Sequence, residues 1–198
     1  MNEIITELLN KLFSYLAIVS IVLSLLIIIA KFSLDKSSSA QRKFFEIISE
    51  NSILLAWSIA SLATLGSLFY SEVSKFIPCT YCWYERILMY PLVLILGVGI
   101  IKKDENAWMY GAPLSIVGII VSIYHYQLQM FPDQNSFSCS GEVSCAGKWI
   151  SEFGFVTMPF MAFSTFLLIL STLLLIFCPF LLTFCPFLRM FCPFLRMF

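Results

Sequence analysis

The stretch PCTYCWYERILMYPL, residues 78–92, sets two cysteines two residues apart against the start of a long apolar run, with Glu85 and Arg86 beside them. Arg86 stands four residues beyond Cys82, so one helical turn brings both to the same face. Arginine keeps its charge and is costly near hydrocarbon, which makes it either a functional group or a snorkelling marker of the membrane edge. A cysteine at the first turn of a helix also meets unsatisfied backbone N–H groups, which favour its thiolate.

The whole chain supports the membrane setting. Of its 198 residues, 60% are hydrophobic and 12% charged, about half the ~25% charge of soluble domains. Mean hydropathy is +0.90. So little polar surface does not cover a soluble domain of this size. The net charge is zero and the basic residues are scattered, a pattern that gives no hint of a nucleic-acid partner.

About 20 apolar residues cross a hydrocarbon core as a helix. Five stretches qualify, at 12–30, 53–70, 87–101, 107–126 and 155–177, the third borrowing CWYER as an interfacial start. With five alternating spans, Lys31, Lys36, Arg42, Lys43, Lys102, Lys103, Arg189 and Arg196 share one side. Lys11, Lys75, Arg86 and Lys148 share the other. The richer side is cytoplasmic, so the N-terminus is predicted outside and the C-terminus inside. Residues 1–30 lack a clear small-x-small cleavage site and read as an uncleaved extra span rather than a signal peptide.

This topology divides the seven cysteines. Cys79 and Cys82 fall in one outer loop, Cys139 and Cys145 in another, and Cys178, Cys185 and Cys192 on the reducing side. The oxidising side thus holds two pairs and no orphan, with three connectivities open. The second pair lies in the polar loop FPDQNSFSCSGEVSCAGKWI, residues 131–150. It reads either as a brace for the loop or as a mobile disulfide able to exchange with the first pair. A four-cysteine zinc site is disfavoured by the long spacing of the second arm. His125, the single histidine, lies at the outer end of the fourth span, level with the CxxC. It is either a satisfied interface residue or part of the site. The tail 178–198 repeats Cys-Pro-Phe every seven residues. Its prolines argue against a coiled coil, and no role is assigned to its cysteines.

CTYCWYERILMYPLVLILG, PLSIVGIIVSIYHYQLQ, the Cys139/Cys145 pair and KWISEFGFVTMPFMAF occur in this order within residues 53–177. Together they resemble the DsbB/BdbC family of disulfide-forming thiol:quinone oxidoreductases, its BdbC-like branch most closely. The resemblance implies an all-α, polytopic membrane four-helix bundle of the DsbB type, here with an additional N-terminal transmembrane helix. Residues 1–30 are then the extra span, 31–52 a cytoplasmic basic loop, 53–177 the redox domain and 178–198 a tail without function.

The resemblance also implies a bacterial cell-membrane protein with its redox loops outside. Its partner is a thioredoxin-like extracytoplasmic thiol oxidase of the DsbA/BdbD kind, and its cofactor a membrane quinone, ubiquinone or menaquinone. The partner attacks Cys139, Cys145 exchanges with Cys79, and Cys82 is released beside the quinone. Arg86 matches the family arginine that assists the quinone, and His125 stands where the family places a quinone-side histidine. Two alternatives are a non-catalytic membrane protein with structural disulfides and a vitamin-K-epoxide-reductase-like enzyme. In the latter family the CxxC follows the loop pair, whereas here it precedes it.

Overall fold

The structure, a computed structural model, describes residues 2–33, 49–132, 139 and 144–184. Residues 34–48 and 185–198 hold most of the basic loop and the repeats around Cys185 and Cys192. They lie outside the described residues, as does the side chain of Cys178.

Five helices follow in order: α1 (Asn2–Ser33), α2 (Ser52–Leu68), α3 (Thr80–Lys102), α4 (Trp108–Met130) and α5 (Met158–Phe184). Each contains a stretch long and apolar enough to cross a membrane. Helices satisfy their own backbone groups, which is what hydrocarbon demands of a spanning segment. The protein is therefore a polytopic all-helical membrane bundle, as the sequence reading expects.

α2 packs on α3, α3 on α4, α4 on α5, and α5 returns to α2, so these four close a bundle. α1 lies outside that ring and packs along α5. The bundle core is Ala56 and Ala60 from α2, Met89, Leu92 and Leu96 from α3, and Phe166, Ile169 and Leu173 from α5. Lipid is as apolar as leucine, so close approach and shape, more than burial, hold such helices together. At Gly118 of α4 a side-chain carbon would come within 2.5 Å of the Phe166 ring, so the missing Cβ is what seats that ring. The buried Ser171 and Thr172 hydroxyls donate to the Leu168 carbonyl one turn back, so they cost little in an apolar setting.

Three helix starts differ from the sequence reading by more than a residue, each for a local reason. α3 begins at Thr80 rather than Ile87, because Cys79 adopts an extended conformation and its sulfur caps the first turn. α1 begins ten residues before Leu12, where Lys11 pairs with Glu7 one turn earlier at 2.8 Å. α5 begins at Met158 rather than Phe155. There Phe153 and Gly154, with φ of +53° and +78°, turn the chain so that Glu152 and Val156 pair backbone to backbone. Pro159 then falls in the first turn of α5, where a missing N–H costs nothing.

α2 does not stop cleanly at Leu68. A π turn, Phe69–Val73, widens its last turn before Lys75 takes a left-handed conformation. The wide turn leaves Tyr70 buried, stacked on Phe76 at 5.7 Å, which in turn stacks on Trp149 at 5.2 Å. This aromatic column ties the loop before the CxxC to the loop before α5.

Candidate functional site

The cysteine end of the bundle is built around the first turn of α3. Cys79 is the N-cap: the backbone N–H of Cys82 donates to its Sγ at 3.4 Å, and the two sulfurs lie 3.2 Å apart. Nε2 of His125 approaches the same Sγ to 3.5 Å from α4. A backbone N–H, a second sulfur and an imidazole nitrogen thus converge on Cys79, surroundings that favour its thiolate. The Cys79 thiol is accordingly held far below the usual range, to about 4. The hydrogen bond with Cys82 is the largest cause, burial opposes it, and His125 adds its hydrogen bond and charge.

His125 is fully buried and does not stand alone. Its Nδ1 lies 3.0 Å from Oε1 of Glu85, itself 8% exposed. A carboxylate only accepts hydrogen bonds, so Nδ1 carries a proton and Nε2 is the nitrogen that exchanges one with Cys79. A carboxylate at this depth needs such a partner. Cys79, His125 and Glu85 therefore form a buried relay that crosses from α3 to α4 and back. Tyr81 flanks it, its ring centred 5.8 Å from the imidazole. The sequence reading names Cys79 and His125 but gives Glu85 no role. The signal for it is a lone acid three residues after Cys82, at the start of an apolar run that also faces the only histidine.

Arg86 points the other way, toward α2. Its Nε donates to Ser67 Oγ at 3.0 Å and its Nη2 to the Ser67 carbonyl at 3.2 Å. Its guanidinium carbon lies 5.4 Å from the centre of the Trp83 ring. These contacts fix the guanidinium plane beside a cavity of about 330 Å³. Cys82, Glu85 and Arg86 stand in the cavity wall, which is otherwise mainly apolar, with Met89, Met161 and Phe166 among its lining. A pocket of roughly 300 Å³ or more, apolar with a few placed polar groups, suits a small flat ligand. Cys82 thus faces both the cavity and the Cys79 relay. Ser67 is a second residue that sequence reading misses, since nothing local announces that it receives Arg86.

The second pair is joined: Cys139 and Cys145 form a disulfide with Cα atoms 6.1 Å apart. Of the pairings left open by sequence, the structure forms Cys139–Cys145 and leaves Cys79 and Cys82 unjoined. Cys145 is buried and, with Cys79, Tyr81 and Leu128, forms one apolar cluster against which Cys82 and Cys139 also pack. Gln129 of α4 holds the loop by donating to the Gly147 carbonyl at 3.1 Å. All four cysteines therefore sit at one end of the bundle. Among the described residues, Cys79, Cys82 and His125 are the three with metal-capable atoms within 4.8 Å of one another.

Comparison with known proteins points the same way. The family model for "Disulfide bond formation protein DsbB" matches residues 49–176. A "Probable disulfide formation protein C" of Halalkalibacterium halodurans is 47% identical over 121 residues, covering 61% of this chain and 88% of that protein. The "Disulfide bond formation protein C" of Bacillus subtilis is 47% identical over 116 residues, covering 58% and 84%. A "Probable disulfide formation protein" of Oceanobacillus iheyensis is 50% identical over 123 residues, covering 61% and 84%. No solved structure matches.

Proposed function

The chain belongs to the DsbB family of disulfide bond formation proteins, and from that membership we propose that it is a thiol:quinone oxidoreductase of the cell membrane. It reoxidises an extracytoplasmic thioredoxin-like thiol oxidase and passes the electrons through two cysteine pairs to a membrane quinone. The observation that carries the reading is the position of Cys82, between the buried Cys79 relay and an apolar cavity flanked by Arg86. The cysteine end faces outside and the Lys102–Lys103 end faces the cytoplasm, following the distribution of basic residues. The redox domain runs over 53–177, with 1–30 as an added span.

The thiol steps balance as follows. A thiolate of the reduced partner attacks the Cys139–Cys145 bond at Cys139 and expels Cys145 as thiolate. Cys145 attacks an oxidised Cys79–Cys82 bond at Cys79, and Cys82 leaves as thiolate. The partner's second thiolate attacks the partner–Cys139 bond and departs oxidised. Cys139 then attacks the Cys145–Cys79 bond, restoring its own disulfide and releasing Cys79. Two electrons have moved from the partner to the CxxC pair. Cys79 is a good leaving group in the last step because Cys82, His125 and the helix N-terminus stabilise its thiolate.

The cavity residues fit the acceptor. A bound quinone supplies a two-electron, two-proton sink for the dithiol. Arg86, its plane fixed by Ser67, is placed to donate to a carbonyl oxygen, and the apolar wall excludes water. Glu85 keeps His125 oriented to hold the proton that Cys79 gives up on becoming a thiolate. The direct test uses the purified chain with reduced thioredoxin-like oxidase and a short-tail quinone. Quinone reduction is expected from the wild type and is expected to vanish in Cys82→Ser. A Cys82→Ser protein that reduced quinone at the wild-type rate would contradict the path.

A further inference from the structure

The cavity beside Cys82 is not enclosed by the four-helix ring alone. Its lining includes Phe13, Leu16, Ala17, Ser20 and Leu23, all from α1. α1 lies wholly outside the residues matched by the family model, 49–176. We propose that α1 is a wall of the quinone pocket, so that an element outside the family core sets how tightly this protein holds its quinone. The proposal rests on the quinone reading above.

The residues of α1 divide by helical period into a cavity side and a lipid side. Residues 13, 16, 17, 20 and 23 follow i, i+3, i+4, i+7 spacing and face the cavity. Ser14 and Ser24 are fully buried, and small side chains at these positions let α1 approach the bundle closely. Leu8, Leu12, Val22 and Leu26 are exposed on the other face, which is left to lipid, and Val19 stands at the border, exposed and at the cavity's edge. A helix that merely anchored the chain would not need a face that lines a cavity.

Specific contacts fix α1 in this place. The Phe13 ring lies over Gly66 of α2, where an added side-chain carbon would come within 3.0 Å of it. The same ring is centred 5.9 Å from Tyr70. At the cysteine end the Thr6 and Ser74 hydroxyls lie 3.1 Å apart, and the Tyr15 ring meets Phe153 edge-on at 5.5 Å. Gly66, Ser67 and Tyr70 also line the cavity. The residues that dock α1 are therefore continuous with those that hold Arg86.

Ser20 is the informative position. It lines the cavity and its hydroxyl is already satisfied by the Leu16 carbonyl at 2.7 Å, so it is not needed to hold another helix. A bulky side chain there projects into the space a ligand would take. Val22, half-exposed on the lipid face, is the matched control.

The experiment has two arms and reads binding rather than turnover. In the first, the wild-type chain is photolabelled with a short-tail azidoquinone and the labelled peptides are mapped. Label within residues 13–23, displaced by unlabelled quinone, is expected. Displaceable label confined to α2, α3 and α5 overturns the proposal. In the second arm, quenching of tryptophan fluorescence measures binding of a short-tail quinone to Ser20→Trp and Val22→Trp, each against its own unliganded signal. At least tenfold weaker binding in Ser20→Trp, with Val22→Trp unchanged, is expected. Equal affinities in the two variants overturn the proposal. Absence of any displaceable label on the wild type would instead remove the quinone reading itself, a separate result. The first arm needs no substitution and stands even if Ser20→Trp fails to fold.

Discussion

The sulfur of Cys79 lies 3.5 Å from Nε2 of His125, although the two residues are 46 positions apart and come from different helices. Behind that imidazole stands Glu85, at 3.0 Å from Nδ1. This links the water-side chemistry of a thiol to a proton acceptor already buried in the bundle. The relay explains why one end of a membrane bundle keeps a carboxylate and an imidazole out of water.

The relay should be separable from the cavity by mutation. Replacing His125 with Gln removes the proton acceptor, and Glu85→Gln removes the group that orients it. Positioned acid–base groups contribute about 10²–10⁴-fold and the residues that orient such groups about 10–100-fold. We expect His125→Gln to slow exchange between Cys145 and Cys79 more than Glu85→Gln does. Stopped-flow measurement of thiol exchange with reduced partner checks the order; equal rates in both variants and wild type would count against the relay.

The reduced protein should show an acid-shifted thiolate at Cys79. The folded thiol sits at about 4, against roughly 8.5 for a free cysteine. A depressed pKa adds stability that is fully present above the unfolded value and is lost as pH falls through the folded one. The reduced form should therefore lose stability, relative to a Cys79→Ala variant, between about pH 8 and about pH 4. Alkylation of Cys79 should stay nearly constant down to about pH 5, whereas an ordinary thiol slows tenfold per unit below its pKa. A rate that tracked an ordinary thiol would show that the groups converging on Cys79 do not stabilise its thiolate.

Arg86 uses the fork of its guanidinium on Ser67, so lysine is not an equivalent replacement. We expect Arg86→Lys to raise the KM for quinone about tenfold, the equivalent of ~1.4 kcal/mol. The KM for the partner oxidase should not move, because the guanidinium faces the cavity side of α3. Ser67→Ala should act in the same direction and more weakly. Steady-state kinetics with each substrate varied in turn distinguishes this from general damage, which would raise both.

Packing at Gly118 gives a test of the fold rather than the site. A methyl group there would meet the Phe166 ring at 2.5 Å, in contact with a core side chain. Gly118→Ala should destabilise the bundle by about 1–3 kcal/mol, the range for overpacking. Adding Phe166→Leu should recover part of the loss. Unfolding in mixed micelles measures both, and an unaffected Gly118→Ala protein would show that α4 and α5 are less closely apposed than described.

The helices were legible in the sequence because lipid leaves no alternative to long apolar segments that satisfy their own backbone. Counting spans also brings Cys79, Cys82 and His125 to one end of the molecule. What sequence does not carry is which helix faces which across the bundle. Ser67 looks like any other small residue of α2 until Arg86 is seen to reach it. Glu85 looks like a membrane-edge acid until α4 presents His125 to it. Phe13 and Ser20 lie in a span that reads only as an extra span, and their packing shows them beside the cavity. The extended cap at Cys79 likewise lengthens α3 beyond its apolar run, because a sulfur–backbone hydrogen bond has no hydropathy signature.

The central claim is that electrons collected by Cys79 and Cys82 leave through the cavity. It is tested most directly by trapping thiols with an alkylating reagent in membranes that contain quinone and in membranes depleted of it. The account predicts that Cys79 and Cys82 accumulate as free, alkylatable thiols on depletion and return to a disulfide when quinone is restored. A CxxC pair that stayed joined throughout depletion, with its redox state indifferent to quinone, would contradict it.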